Sequence, residues 1–213
     1  MRAFGRVAMW AAISIVAVVI LFRLIAIRWW KVPEDDPFLV SSIAPALRGG
    51  DWVLLWRLTP PALGSLALCP EPKHPDRVVV GRLVGEDGQR VKVSGTYIEV
   101  NGKRLPSEGA CKKERFTVKG PKGGSEIELR CSTEVVSGWV HERGEAEAIA
   151  DLPDFEAEVH LGEVVLVSDN RRYPYDSRDF GVVDRSTCKE TLFFRVVGHE
   201  GFFHAPTRFT YIR

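Results

Sequence analysis

Net charge is the first thing this chain of 213 residues lacks: 29 lysines and arginines face 28 aspartates and glutamates, leaving +1. Without a basic excess there is no electrostatic footprint for a phosphate backbone, so nucleic acid is excluded as a partner. The four cysteines, Cys69, Cys111, Cys131 and Cys188, include no C-x-x-C pair. That spacing offers no zinc framework, and we assign neither a metal nor a cofactor. Beyond Lys31 no stretch sustains a 3.6-residue hydrophobic period, which argues against a helical core. Internal repeats and low-complexity tracts are also missing, so neither a solenoid nor a long disordered tail is expected.

What the chain does have begins at its N-terminus. Val7 to Phe22 carries no charge, and Leu24 to Ile27 continues the run past Arg23. As a helix this stretch rises about 31 Å, close to the hydrocarbon thickness of a bilayer. Arg23 can snorkel to the headgroups, and Trp29-Trp30 suit an aromatic belt. A buried soluble helix and a cleaved signal peptide are the rivals. Where a small-x-small cleavage site would stand, however, the chain reads Arg28-Trp29-Trp30. We therefore expect an uncleaved single-pass anchor over residues 1–31, with the lipid bilayer as a partner. Arg2 and Arg6 on one side face Arg23, Arg28 and Lys31 on the other, so charge does not orient it.

The remainder reads as mainly β. Short apolar or alternating runs at Trp52–Leu58, Arg77–Val84, Arg90–Val93, Thr96–Val100, Arg115–Val118, Glu126–Arg130, Val164–Val167 and Leu192–Val197 are separated by Pro, Gly, Asn and Asp. Asp87-Gly88 and Asn101-Gly102 are hairpin signals. Glu145–Ala150 is the one expected helical turn. Residues 103–161 have few long apolar runs and are expected to form a small inserted lobe within a β core of residues 32–102 and 162–213. Cys111 and Cys131 flank a strand–turn–strand reading around Gly120–Ser125 and are the best candidate disulfide. Buried free thiols are the alternative.

Three polar blocks carry the candidate chemistry. Ser42-Ile43-Ala44-Pro45-Ala46-Leu47, followed by Gly50-Asp51, matches S-M-x-P-T-L-x-x-G-D in spacing. Gly81-Arg82-Leu83-Val84-Gly85-Glu86-Asp87-Gly88-Gln89 matches K-R-V-x-G-x-P-G-D, and Tyr97–Gly102 resembles the I-x-V-N-G that follows it. Ser168-Asp169-Asn170-Arg171-Arg172-Tyr173-Pro174-Tyr175-Asp176-Ser177-Arg178-Asp179-Phe180-Gly181 matches D-N-R-x-x-S-x-D-S-R-x-x-G. In this order, behind an anchor, the blocks resemble the signal peptidase I family.

The resemblance implies a signal-peptidase-like β-rich catalytic domain with an inserted lobe behind one transmembrane helix. It implies a single-pass protein of the plasma (inner) membrane with its catalytic domain outside the cytoplasm, removing signal peptides from exported preproteins. It places the nucleophile at Ser42, with Pro45, Asp51, Arg82, Asp169, Asn170, Asp176, Ser177 and Arg178 in support. It also exposes departures. A serine hydroxyl needs a base to take its proton, and the family's lysine position holds Gly81. Arg82 is no substitute, because guanidinium does not deprotonate in proteins. Val40 stands where many members carry a serine that helps hold the oxyanion, and Ser168 replaces a glycine. If Asp87-Gly88 closed a two-residue hairpin, Gly81 would pair with Ser94 and Lys92 would lie diagonally across, the one substitute base within reach. His74 is a weaker candidate. Two readings follow: a signal peptidase I-like serine endopeptidase with impaired or lost catalysis, or a non-catalytic pseudoenzyme that binds peptides or assists a complete signal peptidase.

Overall fold

A computed structural model describes residues 2–107, 111–120, 126–145, 152 and 154–212. Helix α1 (Arg2–Ala26) contains Met9–Ala26, which is long and apolar enough to cross a membrane, with a mean hydropathy of 2.4. From Met9 to Ile25 its apolar side chains stand exposed almost throughout, which fits a membrane anchor. The chain passes directly into strand β1 (Ile27–Lys31), so the anchor and the folded domain share no linker.

The β core is an eight-stranded sheet. Its strands are β1, β2 (Trp52–Trp56), β3 (Leu66–Pro70), β4 (Val78–Glu86), β12 (Glu163–Val167), β13 (Val183–Asp184), β14 (Glu190–Val197) and β15 (Thr210–Tyr211). The order is β1-β2-β14-β3-β4-β12-β13, with β15 beside β14, and each of these pairs is antiparallel. The long crossovers follow from sequence. β14 enters between β2 and β3 only after the whole middle of the chain has been laid down.

Asp87-Gly88 does form a turn, but not the expected hairpin. Strand β5 (Arg90–Ser94) does not pair with β4; it joins β6 (Tyr97–Val100), β7 (Lys103–Arg104) and β11 (Phe155–Glu158) in a separate sheet, ordered β11-β5-β6-β7. The physical reason lies at Gly85. A Cβ there would run into the Val91 side chain, so glycine lets β5 cross over the face of β4 instead of lying alongside it. Val84, Val91, Val93, Ile98 and Val165 then bury one another between the sheets. Asn101-Gly102, by contrast, joins paired strands β6 and β7, both residues having the positive φ that a two-residue hairpin turn requires.

Strands β8 (Arg115–Lys119), β9 (Glu126–Val136) and β10 (Trp139–Glu145) form a third sheet. This is the body of the inserted segment, although β7 and β11, at the ends of 103–161, belong to the second sheet. The helical turn expected at Glu145–Ala150 lies outside the described residues beyond Glu145, as does most of the turn at Gly120–Ser125. Two disulfides are present, Cys69–Cys188 and Cys111–Cys131. The first joins β3 to the residues preceding β14 within the main core.

Candidate active site

Ser42 ends a short helix, α2 (Pro37–Ser42), and is 1% exposed. Asp36 starts that helix by accepting from the amides of Phe38 (3.1 Å) and Leu39 (2.9 Å), and Pro37 occupies the first turn, where its missing N–H costs nothing. Leu39, Ile43 and Leu47 bury against Val53, Leu55, Leu68, Val80 and Leu192 of the sheet, which fixes the helix on its inner face. The Ala44–Pro45 peptide bond beyond it is cis. The Ser42 hydroxyl donates to the Leu39 carbonyl at 3.0 Å. Asp51, one turn of chain later, accepts from Arg48 N (3.0 Å), Arg195 Nε (2.9 Å) and His199 N (2.7 Å). Its place is in tying the serine segment to β14.

The Ser168–Gly181 block folds back on itself through buried charge-assisted bonds. Asp176 caps α3 (Ser177–Phe180) and accepts from Arg178 Nε (2.9 Å), Arg178 Nη2 (2.8 Å) and Ser168 N (2.8 Å). Burial alone would raise the Asp176 pKa; these donors outweigh it and hold the carboxyl below its ordinary value. Arg82 and Asp169 form a bidentate pair at 2.8 and 2.7 Å, and the third arm of Arg82 donates to the Gly64 carbonyl at 2.8 Å. Asn170 reaches the Ser42 segment itself: its amide donates to Ser42 O at 2.9 Å and its Nδ2 to Ser41 O at 2.7 Å. Five support positions named from sequence (Arg82, Asp169, Asn170, Asp176 and Arg178) therefore form one connected network behind Ser42.

The base side is different. A Cβ built on Gly81 would stand 3.0 Å from Leu166 Cβ, tighter than ordinary van der Waals contact. Leu166 is wholly buried with Val79, Leu83, Phe180 and Cys188. The Ser177 hydroxyl accepts from Leu166 N at 3.0 Å, so one of its lone pairs serves the backbone of β12. Lys92 is exposed on β5, opposite Glu99 and Glu156, and not diagonal to Gly81. The substitute-base geometry therefore fails, because it required β4 and β5 to pair. His74 is exposed in its loop. The pattern D-N-R-x-x-S-x-D-S-R also puts Pro174 where it has a serine, removing one more hydroxyl that sequence reading had passed over.

Sequence reasoning missed two features. The first is the pocket at Ser42, lined by Asp36, Phe38, Leu39, Glu71, Arg77, Tyr175 and the β4 residues Val78 to Val80, with about 10 Å³ of free space, room for about one water. Glu71 is 2% exposed and its Oε2 has no hydrogen-bond partner among the described residues; burial and Glu71 together raise the Tyr175 pKa. No sequence signal marked Glu71, which sits in a proline-rich loop. The second is the contribution of the inserted sheet. Gly144 of β10 donates to Asp169 O at 2.9 Å and accepts from Arg171 N at 3.0 Å. Glu134 takes a 2.6 Å bond from Arg171, and His141 lies 3.5 Å from Glu134 and 3.8 Å from Asp169. Burial pushes Glu134 up, but Arg171, His141 and Arg143 together hold its pKa down at about 2.

A buried serine ends a sheet-packed helix, two Arg–Asp pairs are buried, and the N-terminal apolar helix fits a membrane anchor. A family model described as signal peptidase, peptidase S26, matches residues 6–197, and the chain belongs to that family. Among solved structures the chain resembles a signal peptidase I of Enterococcus faecalis V583 at 21% identity and a TM-score of 0.37, over 63% of this chain and 97% of that one. A search of curated proteins finds no match.

Proposed function

We propose that this chain is a signal peptidase I-like endopeptidase of the plasma membrane whose serine chemistry is impaired or lost, its domain lying outside the cytoplasm. The preprotein signal peptides it would handle carry, by family resemblance, small residues at the −1 and −3 positions. The observation that carries this reading is Gly81 itself: no base stands at the family position, and a Cβ added there would press on Leu166. An absent base costs typically about 10²–10⁴-fold. Purified full-length protein in detergent, treated with a serine-directed acylating probe, is expected to show Ser42 unmodified, and a model preprotein is expected to stay uncleaved. Rapid acylation of Ser42 would overturn the impaired reading.

A second reading is favoured by the commitments of the two hydroxyls. Ser42 donates to Leu39 and Ser177 serves β12, which suits a peptide-binding pseudoenzyme that assists a complete signal peptidase. Retention of a signal peptide by protein that never cleaves it, unaffected by Ser42→Ala, supports this reading; cleavage that Ser42→Ala abolishes excludes it. Topology is tested separately by an alkaline phosphatase fusion at Arg213, expected to be active.

A further inference from the structure

The inserted sheet is tied to the β11-β5-β6-β7 sheet at a few points. Leu105 N donates to Ile98 O at 2.9 Å and Val135 N to Pro106 O at 2.8 Å, so residues 105–106 bridge β6 and β9. From β10, Arg143 Nη1 donates to Thr96 O at 2.9 Å. At these ties lies a cleft with about 300 Å³ of free space, lined among others by Tyr97, Arg104, Leu105, Pro106, Glu134 and Arg143. That volume falls at the lower end of small-ligand sites. Its inner end is Glu134 and Arg143, 3% and 4% exposed; its outer end is Tyr97, 44% exposed, with the Arg104 guanidinium 3.2 Å over the ring.

Arg143 is the informative residue. Two of its nitrogens are committed, Nη1 to Thr96 O and Nη2 to Glu145 Oε1 at 2.8 Å. The buried Nε has no hydrogen-bond partner among the described residues. Glu134 Oε1 stands 3.8 Å from it, too far for a hydrogen bond, and Glu134 Oε2 is taken by Arg171 at 2.6 Å. A guanidinium cannot shed its proton to relieve this. In and behind the cleft, Arg104, Arg143 and Arg171 thus meet two carboxylates, Glu134 and Glu145. Asp169, further back, is held by Arg82, and Glu99, opposite Arg104, also faces Lys92 on its other side. A surplus cation with a buried donor to spare favours an anion.

The walls select the kind of anion. Leu105, Pro106 and the Tyr97 ring offer apolar surface, which suits an anion with a hydrocarbon body. Phosphate sites use converging backbone amides at a nest or a helix N-terminus, and the lining residues lie on strands and their connections. We propose that this cleft binds a small carboxylate with an apolar side chain, the chemistry shared by an N-acylated amino acid and the C-terminal residue of a peptide. The carboxylate would sit between Arg104 and Arg143, with the side chain against Leu105 and Pro106. The cleft shares no lining residue with the Ser42 pocket, so the proposal stands whether or not Ser42 is catalytic.

The test is calorimetric titration of full-length protein in detergent with N-acetyl-leucine, its neutral amide N-acetyl-leucinamide, inorganic phosphate and the peptide acetyl-Ala-Ala-Leu. N-acetyl-leucine should bind with 1:1 stoichiometry, and the amide about 10-fold or more weakly, the scale of one lost charge-assisted bond. Arg104→Ala, which removes an exposed side chain, should weaken N-acetyl-leucine by a similar factor. Arg143→Lys, which keeps the charge but loses the planar fork, should do the same in protein whose melting temperature shows it folded. Tighter binding of the peptide than of N-acetyl-leucine makes a peptide C-terminus the occupant; equal binding makes it the free acid. Equal affinity for acid and amide, binding that ignores Arg104→Ala, or displacement of N-acetyl-leucine by equimolar phosphate overturns the proposal. So does the absence of binding by both N-acetyl-leucine and the peptide up to about 10 mM, where even a weak site would show.

Discussion

The two walls of the candidate site have had opposite fates. Behind Ser42, Arg82–Asp169 and Asp176–Arg178 remain buried, bidentate and linked through Asn170 to the serine segment. On the second wall, β4, whose Val78 to Val80 line the Ser42 pocket, Gly81 has no side chain and a Cβ there would press on Leu166, while Pro174 has no hydroxyl where the family pattern has a serine. The difference follows from the cost of change. Removing one partner of a buried ion pair strands a charge, whereas replacing a buried amine by glycine and a leucine contact strands nothing. If catalysis is lost as proposed, the charged wall is expected to stay in place, because removing either partner of its buried pairs would destabilise the fold.

The largest expected effect comes from reopening the second wall. Gly81→Lys alone meets Leu166, so the lysine should gain little; Gly81→Lys with Leu166→Ala makes room. Preprotein cleavage by a folded double variant should exceed that of either single variant by about 10-fold or more, the scale of a restored base, and Ser42→Ala should abolish it. Leu166→Ala costs about 2–5 kcal/mol as a buried truncation, so folding is checked first by thermal melting. Equal cleavage by wild-type protein would show that the wall was never closed.

The charged wall gives the next effect. Asp169→Asn leaves Arg82 buried without its anion and should destabilise the domain by about 3–5 kcal/mol, read as a shift of the urea midpoint. Arg82→Met with Asp169→Leu should recover much of that loss. If the single change is as mild as the pair, the wall is ornamental to stability and the comparison fails. A smaller effect is expected behind this wall. Cys131 packs with Phe116, Leu129 and Ala44, next to the serine segment. Replacing Cys111 and Cys131 by alanine opens a loop with a sequence separation of 20, worth about 3 kcal/mol on the chain-entropy account, without exposing the pocket.

How legible these walls were in the sequence differed for a physical reason. The Asp169–Asn170 turn and the Asp176–Arg178 clasp are local: turn formation and an i,i+2 ion pair are encoded within a few residues, whereas the short helix that ends at Ser42 was not expected, being too brief to show a 3.6-residue period. The β-rich class and the apolar anchor were legible from strand-length runs and from charge-free length. The course of β5 was not, because the same Asp87-Gly88 turn serves a hairpin or a crossover, and the choice rests on Gly85 meeting Val91 from another strand. Lys92 was misplaced with it. Glu71, Glu134 and His141 were invisible for a related reason: they reach the site through long-range packing, and no spacing along the chain records it.

His141 supplies the smallest effect and the finest test of how the inserted sheet supports the charged wall. It is 2% exposed on β10, facing Glu134 and Asp169 with Arg82 and Arg143 around the same carboxylates. Burial first, and the Arg82 charge second, hold its pKa below 6.5, outweighing the two carboxylates. The folded protein thus keeps a neutral imidazole at a pH where the unfolded chain has begun to bind a proton. A depressed folded pKa contributes stability that is fully present above the unfolded value, about 6.5, and is lost as pH falls toward the folded one. Glu134, held at about 2, loses its own contribution between its ordinary value and that one, so its window opens at a lower pH than that of His141. The urea midpoint of the wild type should therefore fall between pH 7 and pH 5, and His141→Gln should flatten that decline while leaving the further loss below pH 4 intact. An undiminished decline in His141→Gln would mean that the imidazole is not the group titrating there, and that the inserted sheet supports Asp169 through Gly144 alone.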